Sequence, residues 1–151
     1  METLKKHLEK LSCVFLDTCC FIYLLEADHY PEQSRPVRLI LESIQQNKLS
    51  GLTSPVTLTE IMTLPKRLGR EDIAYSYKSF LVNFPNLTIP PIDISIADRV
   101  ASIRGAFGFS TPDAIQMATA THYEADAFVT FDKEIGRASM LMPVINPDLL
   151  K

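Results

Sequence analysis

Cys13-Val14-Phe15-Leu16-Asp17-Thr18 is the stretch on which the reading of the whole chain turns. Four consecutive apolar residues without polar alternation fit a strand covered on both faces, the kind that builds parallel sheets. An acidic residue ends the run, and Thr18 can cap a helix through Cys19-Cys20-Phe21-Ile22-Tyr23-Leu24-Leu25. Open α/β sheets bind their ligands outside the carboxyl ends of the strands, which is the edge where Asp17 stands.

Working outward, the same alternation of strand and helix recurs. Ala27 to Arg35, with Tyr30-Pro31 inside it, breaks the pattern, and Pro36 opens a helix bearing Val37, Ile40, Leu41 and Ile44 on one face. Leu49 to Thr53 reads as a second strand. Ser54-Pro55 then starts a helix that carries Glu60 in its second turn and stops near Leu64-Pro65. Glu71 to Phe84 repeats apolar residues at helical intervals, and Leu87 to Ile89 is a brief strand ended by Pro90-Pro91. Ser95 is placed to cap a helix from Ile96 to Ala106, stopped by Gly105 and Gly108, and Thr111-Pro112 starts another with Asp113 in its first turn. Ala127 to Thr130 is a core strand ahead of Asp132, and Pro143 to Ile145 is the last, short one. Ahead of all this, Leu4, Leu8 and Leu11 predict a short amphipathic helix.

This order predicts a three-layer α/β/α sandwich around a short, mostly parallel sheet. The expected organisation is an N-terminal helical extension over 1–12 and one domain over 13–151. A length of 151 residues, 46% hydrophobic and 22% charged, suits a single packed core. The net charge of -3 excludes a chain coated in basic residues, so nucleic-acid binding would rest on a local basic rim or on metal ions. Cys13, Cys19 and Cys20 are odd in number and lack zinc spacing, which predicts reduced thiols. No apolar run approaches a membrane span or a signal segment, and the expectation is a cytoplasmic protein.

Asp17, Glu60, Asp113 and Asp132 each stand where a buried element meets a polar edge. Singly, each has a structural explanation as a helix cap or turn former. Together they predict a hard-cation site for Mg2+ or Mn2+, whose oxygen ligands and retained waters suit phosphodiester hydrolysis. Thr130, two residues before Asp132 on an extended chain, adds a supporting hydroxyl. Asp98 and Asp126 are set aside, the first as part of a helix start and the second because it lies at the amino end of its strand. Among the cations, Arg104 and Lys133 are the preferred phosphate contacts, and Lys66, Arg67, Arg70 and Arg137 are further members of a basic rim or an ion-paired surface.

These same residues carry a resemblance. Val14-Phe15-Leu16-Asp17-Thr18, Thr59-Glu60, Thr111-Pro112-Asp113-Ala114-Ile115-Gln116-Met117-Ala118 and Val129-Thr130-Phe131-Asp132-Lys133 resemble, in order and spacing, the four acidic motifs of PIN-domain nucleases, and most closely the VapC-type toxin ribonucleases. The resemblance implies an endoribonuclease dependent on Mg2+ or Mn2+, with Asp17, Glu60, Asp113 and Asp132 on the metal and Thr130 in support. It also implies an RNA substrate, a homodimer and a small antitoxin partner. The sequence departs from the pattern at Cys19 and Cys20, where the family often has Asn or Ser.

Two other functions compete. An aspartyl-phosphate phosphatase would use Asp17 as nucleophile, but usually needs a second Asp where Cys19 stands. An inactive PIN-like module would bind RNA or a partner and keep the fold alone. The apolar faces at Phe21 to Leu25 and Val37 to Ile44 could serve a dimer interface, with core packing as their ordinary use.

Overall fold

The computed structural model describes residues 1–150. A five-stranded sheet runs through its centre in the order β3-β2-β1-β4-β5, built from Cys13–Leu16 (β1), Ser50–Leu52 (β2), Leu87–Thr88 (β3), Ala127–Val129 (β4) and Val144–Ile145 (β5). Every neighbouring pair is parallel, so the sheet expected to be mostly parallel is wholly so. Strand order reverses between β1 and β4, and the carboxyl ends of these two strands therefore flank the switch-point crevice.

The fully apolar strands are explained by two separate cores. Val14 and Leu16 on β1, with Ala127 and Val129 on β4, face a cluster that takes in Cys20 and Phe21, Val37 to Ile44, Ile61 and Leu81. Phe15 and Phe128 point the other way into a cluster with Ile96, Val100, Ile103, Ala114 and Met117. Their rings stack at 4.9 Å across the register Phe15↔Phe128. Gly51 is the small residue that β2 needs, because a Cβ there would lie 2.8 Å from Ile44 Cδ1 and 3.0 Å from Leu87 Cδ1.

On the first face lie Glu2–Leu8 (α1), Thr18–Leu25 (α2), Pro31–Gln45 (α3), Pro55–Arg67 (α4) and Glu71–Val82 (α5). Ile94–Phe107 (α6) and Thr111–His122 (α7) cover the second. Leu4 and Leu8 of α1 are buried in the first cluster. The residues Phe21, Val37, Ile40, Leu41 and Ile44, considered for an interface, are buried within the chain.

Several boundaries differ from the sequence expectation, each for a local reason. Helix α3 begins at Pro31, which takes the proline-tolerant first position, and continues through Pro36. Helix α4 likewise continues through Pro65 to Arg67. Both internal prolines are buried, and their packing offsets the backbone hydrogen bond that each removes. Asp93, not Ser95, caps α6 by accepting from Ile96 N at 3.0 Å. Ser110 caps α7 ahead of Thr111-Pro112, accepting from Asp113 N at 3.4 Å. Of the two glycines expected to stop α6, Gly105 is helical and Gly108 ends the helix with φ 68. Two 3-10 turns, Ile135–Met140 and Pro147–Leu150, had no periodic signal to announce them.

Candidate active site

Asp17 leaves β1 at the switch point, its backbone N–H bonded to Val129 O at 3.0 Å, so the β1–β4 pairing itself fixes where the side chain starts. It is the N-cap of α2, a position expected to fall to Thr18, and its Oδ1 accepts from Thr18 N at 2.9 Å. Thr130 donates its hydroxyl to Oδ2 at 2.8 Å, and Gln116 Nε2 approaches Oδ1 at 3.4 Å. The residue is 8% exposed.

Two effects oppose each other on this carboxyl. The helix dipole and the hydrogen bonds favour the charged form, the dipole by roughly 0.3–1 kcal/mol. Burial disfavours it and wins, pushing the carboxyl from 3.8 up to about 6, with the charge of Asp113 adding to the rise.

The other three acids stand around Asp17 on separate elements. Asp113, in the first turn of α7, is half-buried, and its carboxyl is raised first by burial and then by the charge of Asp132, with Ser110 offsetting part of the rise. Asp132 follows β4 in an exposed turn, where its N–H donates to Thr130 Oγ1 at 3.0 Å and its Oδ1 accepts from Glu134 N at 2.9 Å. The turn-forming role open to it in the sequence is therefore occupied, with one oxygen left outside that bond. Glu60 is exposed on α4, and its Oε1 accepts the Thr18 hydroxyl at 2.7 Å. Asp126, set aside, accepts from Ser12 N and Cys13 N at 2.7 and 2.9 Å, at the amino end of the sheet.

Among the described residues none of the four acids is in an ion pair. The ion pairs Lys66–Glu71 and Arg70–Asp72 lie at the α4–α5 connection, and Arg137–Glu134 closes the turn after Asp132. Among the described residues no three acidic, thiol or imidazole side chains are grouped closely enough, as they stand, to hold a metal ion. Oxygen donors spread around an open crevice fit Mg2+ or Mn2+, which take few protein ligands and keep waters, and do not fit zinc. A buried carboxylate raised by desolvation and by a like charge is what an added dication would relieve.

The half-buried thiol of Cys19 lines the same crevice, 3.9 Å from Asp17 Oδ2 and 3.7 Å from Thr130 Oγ1, and it accepts from Phe131 N at 3.5 Å. Phe131 also meets Tyr23 edge-on at 5.0 Å, so α2 holds the turn that carries Asp132. All three cysteines are free.

Of the two basic residues chosen from the sequence, Lys133 is exposed next to Asp132 and makes no ion pair among the described residues. Arg104 is exposed too, but its Nε is bound to Phe109 O at 3.1 Å, which gives it a part in the α6–α7 connection.

A model of the PIN domain matches residues 14–140, which takes in all four acids. The chain belongs to the PIN domain family. This PIN domain has no match among curated protein sequences. Among solved structures it is similar to DNA-bound VapBC from Salmonella typhimurium (17% identity, TM-score 0.69, 89% of this chain and 98% of that one). It is similar also to FitAcB from Neisseria gonorrhoeae (23%, 0.63, 89% and 97%). A third likeness is to Mycobacterium tuberculosis VapC20, described as a sarcin-ricin loop cleaving toxin (17%, 0.65, 83% and 94%). At these identities the likeness is one of fold. No helix of the described residues is long and apolar enough to cross a membrane.

Beneath the acids lies a set of polar residues that the sequence does not single out. Thr18 is expected only as a cap and Ser54 only as a helix start, and Thr53, Thr57 and Gln116 carry no expected role. All five are buried. The signal for Gln116 was a long amide set among Ala114, Ile115, Met117 and Ala118, where a helix should be wholly apolar.

Proposed function

We propose that this PIN domain is a Mg2+- or Mn2+-dependent endoribonuclease that hydrolyses RNA phosphodiester bonds. Asp17, Glu60, Asp113 and Asp132 hold the metal, and Thr130 supports them. The observation that carries this reading is Asp17, buried at the switch point among three other acids and without a basic partner. Family membership supports it, and so does the likeness in fold to a toxin described as cleaving RNA's sarcin-ricin loop.

When bound, the cation supplies Lewis-acid charge beside the scissile phosphate and acidifies water. The chain's own residues do the rest. Thr130 directs Asp17 Oδ2, and through its bond to Asp132 N it holds the two strand-end acids in one arrangement. Thr18 holds the otherwise free end of the Glu60 side chain. Below about pH 6 Asp17 takes up a proton and no longer serves as an anionic ligand, so affinity for the metal falls on the acid side. Lys133 and Arg104 are the proposed contacts to RNA phosphates outside the cleft.

The likeness to structures of toxin–antitoxin complexes supports a further part of the reading: a cytoplasmic toxin, homodimeric and inhibited by a small antitoxin protein. The direct test is to incubate the protein with total bacterial RNA and with a sarcin-ricin stem-loop under Mn2+, under Mg2+ and under chelator. Cleavage with either metal that stops on chelation and returns on readdition is expected. Cleavage that persists in chelator, or RNA binding without cleavage at any metal concentration, overturns it.

A further inference from the structure

Gln116 is 1% exposed on α7, the helix of Asp113, and its side chain bonds to the starts of α2 and α4, the helices next to Asp17 and carrying Glu60. Its Nε2 donates to Thr57 Oγ1 at 2.9 Å and to Thr18 Oγ1 at 3.1 Å, with the Asp17 contact at 3.4 Å the longest of the three. Its Oε1 accepts the hydroxyl of Ser54, whose oxygen in turn accepts from Val56 N at 3.2 Å. An amide has two donor hydrogens and one carbonyl, and here each is used by an atom that has no solvent to fall back on.

In this network Thr53 is the donor both to Leu16 O and to Thr57 Oγ1, each at 2.9 Å. The Thr57 oxygen, which receives Thr53 and Gln116, has no lone pair left for a third donor. Thr18 has a single hydroxyl proton, and because its oxygen also receives Gln116, that proton goes outward to Glu60 Oε1 at 2.7 Å rather than to Thr57 at 3.1 Å. Turning the amide over would set its carbonyl, in place of the NH2, against the carboxylate oxygen Asp17 Oδ1, which disfavours that orientation.

We infer that Gln116 is a positioning residue: it orients the Thr18 hydroxyl so that Glu60, exposed and on a different helix, is drawn to the crevice in the arrangement that takes up the metal. The inference rests on the proposed metal site. Glu60 without this relay is a flexible surface side chain that must give up rotamer freedom to reach the ion. With the relay, part of that freedom is already lost, as in metal sites whose ligands are oriented by outer partners.

The test is a double-mutant cycle read by Mn2+ binding in calorimetry, with no substrate present. Gln116→Met keeps the length and removes the donors. It is expected to weaken Mn2+ binding roughly tenfold, the lower end of the range for loss of an outer partner. In a Glu60→Gln background the same substitution is expected to have little further effect, since both changes interrupt one path. Full additivity of the two changes, or unchanged affinity in Gln116→Met, overturns the assignment. Thr18→Val keeps the test open if Gln116→Met does not fold, because it breaks the relay and leaves Ser54 and Thr57 satisfied. Its effect must also vanish in the Glu60→Gln background, while Thr18→Ser binds as wild type does. If wild type itself takes up no Mn2+, the metal-site reading fails and this inference with it, an outcome distinct from additivity in proteins that do bind.

Discussion

Thr130 donates its hydroxyl to Asp17 Oδ2 at 2.8 Å across 113 residues of chain, and Thr130 Oγ1 in turn accepts the N–H of Asp132 at 3.0 Å. One buried hydroxyl therefore joins an acid after β1 to an acid after β4, the two strands between which the sheet order reverses. The link exists because β1 and β4 pair in register, Leu16 beside Val129, so the residues that follow each strand emerge side by side.

Replacing Thr130 with Val keeps the shape and removes both bonds. The loss of a donor to a buried carboxylate and an acceptor for a backbone N–H should cost about 1–3 kcal/mol in urea denaturation. The Thr130 bond lowers the Asp17 carboxyl, so without it the group rises further above 6. The acid limb of the pH–rate profile should move to higher pH. An unmoved limb would separate Thr130 from the titration of Asp17.

Stability in chelator should fall with pH on account of Asp17. Its folded value, about 6, lies above the ordinary 3.8, so its contribution is complete below 3.8 and is lost as pH rises through 6. The whole shift is worth about 3 kcal/mol, of which roughly 1 kcal/mol disappears between about pH 5 and pH 7. Asp17→Asn should lack this slope. Urea curves for both proteins at several pH values would settle the matter, with parallel pH profiles counting against a strained buried carboxylate. Mn2+ should stabilise the wild type more near pH 7 than near pH 5, since the ion competes with a proton.

Lys133 and Arg104 should behave differently from each other. Lys133→Ala is expected to leave stability unchanged and to reduce the salt slope of RNA binding by roughly one. Arg104→Ala should lose about 1 kcal/mol of stability as well, because its Nε holds Phe109 O. An unchanged salt slope in Lys133→Ala would remove that residue from the RNA interface.

Much of the fold was legible in the sequence because the central strands are short, wholly apolar and bounded by polar residues. Val14 to Leu16 and Ala127 to Val129 admit little else, and Asp17 and Asp132 follow from where these strands end, while Glu60 and Asp113 lie near the starts of proline-opened helices. Helix boundaries at prolines were less legible: Pro31, Pro36 and Pro65 look alike in sequence, yet one opens a helix and two lie inside helices because packing outweighs a lost hydrogen bond. The rule that a serine ahead of apolar residues caps a helix held at Ser54 and failed at Ser95, where Asp93 stood two residues earlier with a better acceptor.

The acids themselves could be found from spacing, but the polar layer under them could not. Gln116, Thr57 and Thr18 are separated by 59 and 98 residues from Gln116's side and meet only once the sheet has ordered the helices. Nothing local distinguishes Thr57 from Thr59 or Thr63, whose hydroxyls bond back to their own helix. Pairing across the fold, not residue type, makes Thr57 part of the site.

The most direct test of the central claim is single-turnover cleavage of one RNA by wild type and Asp17→Asn at saturating Mn2+, with folding checked by circular dichroism. We predict cleavage by the wild type, and a folded Asp17→Asn protein that still binds the RNA and cleaves it at least a hundredfold more slowly. Equal cleavage by the two proteins would contradict the account, since the buried carboxylate at the switch point would then have no part in the reaction.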